Sequence, residues 1–391
     1  MRIEHHASAT DAYRIFFPLG ILLGVAGVSI WPLYYFGAAS GYSGRAHMFV
    51  QADCFLYAFV VGFLWTAIPR FTGSNAPSRV VQYGLAGTLL AVAICFEAQI
   101  FAVGHVLFVV AHLTFIAVVM RCFLRRKFPP PPTFALVGAG ILSGLIGAIV
   151  NAGIAWGWID PGWDLVGRRM LTEGMVLLLV LGVGGFLGPR LLGFAQLPDF
   201  QTIGQPAEQS RPPFMVRHGA KVYAICGVLM LASVLLEYSV RLPTMAWFRA
   251  AMGTVLIASS IRPWRLPAVR TTLAWCVWLA HWFLIAGLWI AASVPKYRID
   301  LLHIMFMGGF TLLILAVSTR VVLSHGSYLL AEEKKSWPLR IGLITGLIAL
   351  LARTAAPFVP NSYFSHLAWA GLFWISGILF WGIYLYRRIR P

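Results

Sequence analysis

The chain has little charge for its length. Of its 391 residues only 11% are charged and 59% are hydrophobic, and acidic residues number just 13. Soluble domains carry about 25% charged residues, so this composition excludes a water-covered surface and a separate soluble catalytic domain. The five cysteines lie in apolar stretches without Cys-x-x-Cys spacing, which argues against a disulfide framework or a zinc site. The N-terminus lacks a small-residue cleavage site, which argues against a removed signal peptide.

Long apolar runs fill most of the chain. A membrane-spanning helix needs ~20 apolar residues, so twelve of them use roughly 240 positions and leave only short connections. The runs fall at residues 12–36, 46–68, 80–100, 102–123, 133–156, 168–192, 218–238, 243–261, 269–290, 300–323, 339–357 and 362–386. We therefore predict an all-α polytopic membrane protein with about 12 transmembrane helices.

The distribution of basic residues predicts the orientation of the chain. Lys and Arg number 30, which gives a net charge of +17. Those in the tails and the even-numbered connections outnumber those in the odd-numbered connections by more than three to one. Because cytoplasmic loops are enriched in Lys and Arg, we predict that both termini are cytoplasmic. Topology thus explains the basic charge, and no nucleic-acid partner is expected.

The longest connection, at residues 193–217, contains several prolines and few apolar residues. We predict a single membrane domain over residues 1–391. Its halves, 1–200 and 214–391, would be joined by this Pro-rich cytoplasmic loop, and we did not identify a sequence repeat between them. Membrane lipid would surround the whole domain.

Ionisable residues inside membrane spans are costly, so each is a functional candidate. Histidine is the most informative type because it ligates haem iron and copper. His112 and His281 lie at a similar mid-membrane depth on different spans, which suits a bis-histidine haem site. His47 and His303, with His105, form a second group nearer the outer surface. For each of these residues the alternative is a histidine hydrogen-bonded at a helix end or between helices.

Charged side chains in the outer third of the spans allow two interpretations. The acidic ones are Asp53, Glu97, Glu173 and Glu237. They either form local ion pairs or line a proton path towards the buried histidines. Arg45, Arg168 and Arg169 either meet haem propionates, because guanidinium binds carboxylate bidentately, or anchor the chain at lipid head groups.

Residues 275–328 carry motifs that indicate a family. The segment has a histidine in the ninth span, a Leu-His start to the tenth, a Thr-Arg pair and a Leu-Ser-His-Gly close. It resembles the most characteristic block of the NnrS family, twelve-helix bacterial inner-membrane proteins that contain haem and copper and are linked to nitric oxide and nitrosative stress. The matching positions are His281, His303, Arg320 and His325. Residues 62–73 and 184–194 resemble two further blocks of the family.

One departure from the family concerns the second span. The family usually has His-x-His-Glu there, and in this chain His47 falls on the first His, Phe49 on the second and Val50 on the Glu. One expected ligand is therefore missing. The resemblance implies haem b and copper as cofactors, and this departure bears on whether copper is retained.

We therefore expect a haem-binding or haem–copper protein of the bacterial cytoplasmic membrane that takes part in the nitrosative-stress response. It would bind nitric oxide or another diatomic at a His-ligated metal in the outer half of the bilayer. The predicted cofactor-binding residues are His281, His303, His112, His47, Arg45, Arg168 and Arg169. The predicted metal ligands are His47, His281, His303, His325 and His105. The alternatives are a transporter of a metal ion, haem or small anion, whose halves rock against each other, and a haem-free partner in a redox complex.

Overall fold

The computed structural model describes residues 11–195, 213–240, 242–325 and 336–389. These residues form 12 helices that are long and apolar enough to cross a membrane, which confirms the all-α, twelve-span prediction. The helices are α1 (Tyr13–Tyr35), α2 (Gly44–Thr72), α3 (Arg79–Glu97), α4 (Phe101–Leu124), α5 (Phe134–Ala155), α6 (Pro161–Leu191), α7 (His218–Ser239), α8 (Thr244–Ile261), α9 (Thr272–Ser293), α10 (Pro295–His325), α11 (Trp337–Phe358) and α12 (Pro360–Ile389).

The first helix begins and the last helix ends at the same end of the bundle. There Nη1 of Arg14 donates a hydrogen bond to the carbonyl oxygen of Ile389. We call this end the terminal face and the other end the opposite face. That the terminal face is cytoplasmic stays a prediction from the basic residues. Most of the loop predicted to join two halves, residues 196–212, lies outside the described residues.

Three helices occupy the centre of the bundle and nine surround them. Contacts run around the ring from α1 through α3, α4, α5, α7, α8, α9 and α11 to α12, which packs back on α1. Inside it, α2 packs against both α6 and α10. In the most apolar stretch of α2, α6 and α10, 78%, 67% and 67% of the residues are buried, against 22–50% in the other nine. Each set of four consecutive spans thus contributes its second helix to the centre.

The three central helices share one interruption. In each of them, a segment of six α-helical residues is followed directly by a π-helical segment. The π segments are Val50–Leu56 in α2, Met170–Val176 in α6 and Ile304–Thr311 in α10. π-helical turns are rare and occur frequently at functional sites. The structure therefore repeats with a period of four spans, which the sequence analysis did not detect.

A short sequence trace of this repeat is found where α2 and α6 end. Each helix has a Pro-Arg pair in its last turn, Pro69-Arg70 in α2 and Pro189-Arg190 in α6. A glycine with positive φ follows four residues after each proline, Gly73 at 66° and Gly193 at 77°. Glycine adopts this left-handed conformation at low cost and terminates helices for that reason.

A buried acid occupies the fourth position of the π segment in both α2 and α6. Asp53 is fully buried, and neither of its carboxyl oxygens has a hydrogen-bond partner among the described residues. Glu173, at the equivalent position, contacts three arginines. The same site in the repeat therefore holds an isolated carboxyl group in α2 and an ion-paired one in α6.

Replacing Asp53 by leucine, which has a similar size, is expected to raise the free energy of unfolding by about 1–3 kcal/mol, because a buried polar group without a partner carries that cost. Equilibrium unfolding in detergent micelles measures the change. Asp53→Asn keeps a polar group and is the matched control, with a smaller gain expected. A loss of stability in Asp53→Leu would contradict the isolation of this carboxyl group.

Candidate metal centre

Two of the predicted ligands, His47 on α2 and His303 on α10, lie together towards the opposite face. His303 is within electrostatic interaction range of His47. Nδ1 of His47 donates a hydrogen bond to the carbonyl oxygen of Gly27 at 2.7 Å, and Nδ1 of His303 donates to that of Ile299 at 2.8 Å. A neutral imidazole with its proton on Nδ1 keeps a lone pair on Nε2. Metal-ligating histidines typically make this kind of bond with their other ring nitrogen.

An arginine that the sequence analysis did not single out stands beside this pair. Arg353 on α11 interacts electrostatically with both histidines. Its Nη1 donates to Oδ1 of Asp300 at 2.7 Å, and the hydroxyl of Tyr363 donates to the same oxygen at 3.3 Å. Arg353 interrupts the apolar run of the eleventh span. Because a charged residue inside a span is costly, this interruption could have identified Arg353 as a candidate from the sequence.

His281 faces a cavity at the centre of the bundle. Its Nδ1 donates to the carbonyl oxygen of Val277 at 2.6 Å. The cavity, of about 100 Å³, lies between α2, α6, α9 and α10, and its lining is apolar apart from His281 and Ser318. Gly184 leaves the approach to Nε2 open, since a Cβ atom at that position would lie 3.3 Å from Nε2.

The size of this cavity limits what it can hold. Pockets for drug-sized ligands measure about 300–1,000 Å³, and haem is a ligand of that class. A dry apolar cavity of roughly 150 Å³ holds benzene or xenon. The cavity beside His281 therefore suits a small neutral molecule rather than a haem ring.

His112 has no ring nitrogen left for a metal. Its Nδ1 accepts a hydrogen bond from the hydroxyl of Tyr57 at 2.9 Å, and its Nε2 donates to the carbonyl oxygen of Ile141 at 2.9 Å. These two bonds fill the capacity of a neutral imidazole. His112 does not line the cavity that His281 faces, so the structure does not bring the predicted bis-histidine pair together.

His105 is fully buried in an aromatic environment. Its ring centre lies 4.5 Å from that of Phe49 and 5.0 Å from that of Phe96. Neither of its ring nitrogens has a hydrogen-bond partner among the described residues. Phe49 stands where the resemblance places a second histidine, so a benzyl ring fills the space next to His105 in this chain.

The three arginines predicted to meet haem propionates are paired with carboxylates of the protein. Arg45 and Arg168 share Asp164 at the rim of the opposite face, with N–O distances of 3.1 and 2.6 Å, and both are partly exposed. Arg169 contacts Glu173 at 3.7 Å and Glu237 at 2.8 Å. Arg45 and Arg168 are thus the two that solvent reaches more freely.

Arg169 belongs to a buried ion-pair network that joins α6, α7, α8 and α10. Its members are Arg169, Glu173, Glu237, Arg249 and Arg298. Arg298 Nη2 lies 2.6 Å from Glu173 Oε2, and Arg249 donates a hydrogen bond to Glu237. Arg249 and Glu173 are only 2% and 3% exposed. Local ion pairing, one of the two interpretations of these acids, is therefore what the structure shows for Glu173 and Glu237.

His325 lies at the terminal face, at the end of α10 away from His303. Its Nε2 accepts a hydrogen bond from Nη1 of Arg70 at 3.1 Å. The structure therefore does not place His325 with the other predicted ligands.

The side chains available as ligands can be compared with what a metal ion and a haem iron each require. Within the parts of the chain that the structure describes, no group of three or more His, Cys, Asp and Glu side chains is placed to hold a metal ion. Haem iron needs only one or two axial ligands from the protein, because the porphyrin supplies the others. His47 and His303 could supply two such ligands, and imidazole suits copper as well as iron.

The comparisons with known proteins agree with the twelve-span architecture. A family model described as "NnrS protein" matches residues 8–389, almost the whole chain. No curated protein matches the chain. On this match, the chain is a multi-pass membrane protein that belongs to the NnrS family.

Proposed function

We propose that this protein binds haem b at the His47–His303 pair and takes nitric oxide or another neutral diatomic as its ligand, as part of a nitrosative-stress response in the bacterial inner membrane. Membership of the NnrS family supports the proposal. The observation that carries it is that His47 and His303, which lie within electrostatic interaction range of each other, each have Nδ1 held on a backbone carbonyl, which leaves the lone pair of Nε2 for iron.

The residues around His47 and His303 would each have a distinct role in holding haem. The carbonyls of Gly27 and Ile299 fix the orientation of the two rings. Arg353 supplies positive charge beside them for a propionate, and Asp300 holds this guanidinium in place at 2.7 Å. Haem held by His47 and His303 would supply an iron able to bind a diatomic molecule.

The central cavity supports a neutral gas as the ligand. Its lining includes Leu56, Val176 and Phe310, which lie at the inner ends of the three π segments, so the cavity adjoins the segment that follows His303 in α10. An apolar space inside a bilayer disfavours ions and accepts uncharged small molecules. We infer that it holds nitric oxide on its way between the lipid and the metal.

An optical spectrum of the purified protein tests the proposal. We expect a Soret band with bis-histidine character that shifts on addition of nitric oxide, and we expect His47→Ala and His303→Ala to lose it. His366→Ala is the matched control, because His366 also lies near the opposite face with Nδ1 bonded to a carbonyl, that of Ser362 at 2.9 Å, and should leave the band unchanged. A colourless, correctly folded protein would refute haem binding and favour the transporter.

Metal analysis of the same samples tests the second cofactor. Since Phe49 stands where the resemblance places a second histidine, we expect iron without an equal amount of copper. An amount of copper equal to that of iron in the unaltered protein would contradict this expectation.

A further inference from the structure

The central cavity is lined by two polar groups that the described residues leave unpaired. They are the imidazole of His281 on α9 and the hydroxyl of Ser318 on α10, which are 1% and 3% exposed. Nδ1 of His281 is bonded to Val277, but neither Nε2 of His281 nor Oγ of Ser318 has a hydrogen-bond partner among the described residues. Since buried polar groups are normally hydrogen-bonded, two unpaired ones at the same cavity indicate a ligand that pairs with them.

Two glycines of α6 leave room for a ligand beside the imidazole. A Cβ atom at Gly184 would lie 3.3 Å from Nε2 of His281, and one at Gly188 would lie 3.8 Å from Cε1. With its proton on Nδ1, a neutral imidazole presents a lone pair on Nε2. His281 can therefore accept a hydrogen bond from a ligand in this cavity, and the hydroxyl of Ser318 can donate or accept a second one.

The rest of the lining determines the charge of the ligand. It consists of apolar side chains, among them Leu56, Val180 and Phe310. An ion would lose its hydration there without a charged partner, which is costly, so the ligand is neutral. Water is also a poor occupant, because a buried water molecule makes about three hydrogen bonds and the lining side chains offer two. These conditions favour a neutral molecule with one polar end and one apolar end.

The volume of the cavity determines the size of the ligand. The cavity measures about 100 Å³, whereas a cavity of roughly 150 Å³ holds benzene with its six carbon atoms. By proportion, about four heavy atoms fit beside His281. A haem ring and a lipid acyl chain are both larger than this limit.

We propose that the central cavity is a binding site for a neutral molecule of about two to four heavy atoms that carries an O–H or N–H donor, the class of hydroxylamine or a short alcohol. The donor bonds to Nε2 of His281, Ser318 contributes the second hydrogen bond, and the apolar side chains contact the remainder. Nitric oxide has no such donor, so it crosses the cavity without a hydrogen bond to His281. The site goes beyond the passage of nitric oxide and requires no haem at His47 and His303.

Methanol and fluoromethane are the matched probes, because they have equal numbers of heavy atoms and only methanol carries a donor. Xenon occupies small apolar cavities, so its displacement from the full chain in detergent, followed by xenon NMR, measures the affinity of each probe. In His281→Phe, which replaces the imidazole by an apolar ring, we expect the affinity for methanol to fall about tenfold, since the hydroxyl group loses its acceptor. The affinity for fluoromethane should not fall.

A second variant and two controls complete the experiment. Ser318→Ala should lower the affinity for methanol about two- to tenfold by removal of one hydrogen bond, and it takes the place of His281→Phe if that variant does not fold. His366→Phe replaces a histidine near the opposite face, outside the lining of the cavity, and should leave both affinities unchanged. Gly184→Leu fills the cavity and should abolish the displaceable xenon signal, which separates the cavity from the detergent micelle.

Equal losses of methanol and fluoromethane affinity in His281→Phe would overturn the proposal. So would an unchanged affinity for methanol in either His281→Phe or Ser318→Ala, or displaceable xenon that persists in Gly184→Leu. Because xenon displacement involves neither haem nor nitric oxide, failure of this proposal and failure of the proposed function are distinguishable.

Discussion

Glu173→Ala is expected to lower the free energy of unfolding by about 3–5 kcal/mol, because removal of one partner leaves buried charge uncompensated. Glu173 is 3% exposed and contacts the guanidinium groups of Arg169, Arg249 and Arg298. Without its carboxylate these three cations would share Glu237 as their one acidic partner among the residues that the structure describes. Equilibrium unfolding in mixed micelles measures the loss, and the network joins four helices, so cooperative unfolding should begin at a lower denaturant concentration.

Asp164→Ala is the matched control for this prediction. Asp164, near the start of α6, also pairs with two arginines, but these partners, Arg45 on α2 and Arg168 on α6, are 43% and 32% exposed. Solvent-exposed ion pairs contribute about 0–1 kcal/mol, so a small effect is expected. The double variant Glu173→Ala/Arg298→Met removes one excess cation and should recover part of the loss. Equal losses of unfolding free energy in Glu173→Ala and Asp164→Ala would contradict the prediction that burial makes the network around Glu173 more important for stability.

Gly184→Leu is expected to slow nitric oxide binding at least tenfold while the haem spectrum is retained. A side chain at this position enters the cavity of about 100 Å³, and its Cβ atom alone would lie 3.3 Å from Nε2 of His281. Its remaining carbon atoms would fill space that we assign to the gas. Stopped-flow mixing with nitric oxide, followed at the Soret band, measures the rate. Overpacking would also cost about 1–3 kcal/mol of stability.

A smaller substitution and a control substitution test whether a slower rate of nitric oxide binding comes from filling the cavity or from adding a leucine anywhere in the protein. Gly184→Ala adds one carbon atom at a distance that needs a shift of a few tenths of an ångström, so an intermediate rate is expected. Gly138→Leu adds the same side chain to α5 where a Cβ meets nothing within 4 Å, and the rate should not change. An unaltered rate in Gly184→Leu would exclude the central cavity from the path of the gas.

The positions of the spans followed from local sequence. Each of the twelve apolar runs became a helix, because a buried backbone in lipid has to satisfy its hydrogen bonds within one segment. The bounds agree with the prediction within five residues except at α6, which begins at Pro161, seven residues before the predicted start. Even the short junction after Glu97, before Phe101, proved to separate two full spans. The family was also accessible from sequence, since its motifs surround His281 and His303 and the match extends over residues 8–389.

The relations between the spans did not follow from sequence. His112 and His281 have the same depth, yet depth does not determine which neighbour an imidazole meets, and Tyr57 and Ile141 occupy both nitrogens of His112. Arg249 shows the same limit, because its carboxylate partners lie on two other helices. The pairing of side chains depends on helix rotation and neighbour choice, and both are set by packing.

The small number of charged residues determined that this chain lies in a membrane, that it crosses the membrane twelve times and that its few buried histidines, arginines and acids are its informative residues. Only the tertiary structure decided which of them meet. It places α2, α6 and α10 inside a ring of nine helices and brings His47 within electrostatic interaction range of His303. It leaves Asp53 without a hydrogen-bond partner among the described residues and joins Glu173 to four other charged residues. The physical reason is that transfer into lipid is a property of each segment, whereas the packing of helices that are all apolar depends on shape and on contacts distant in sequence.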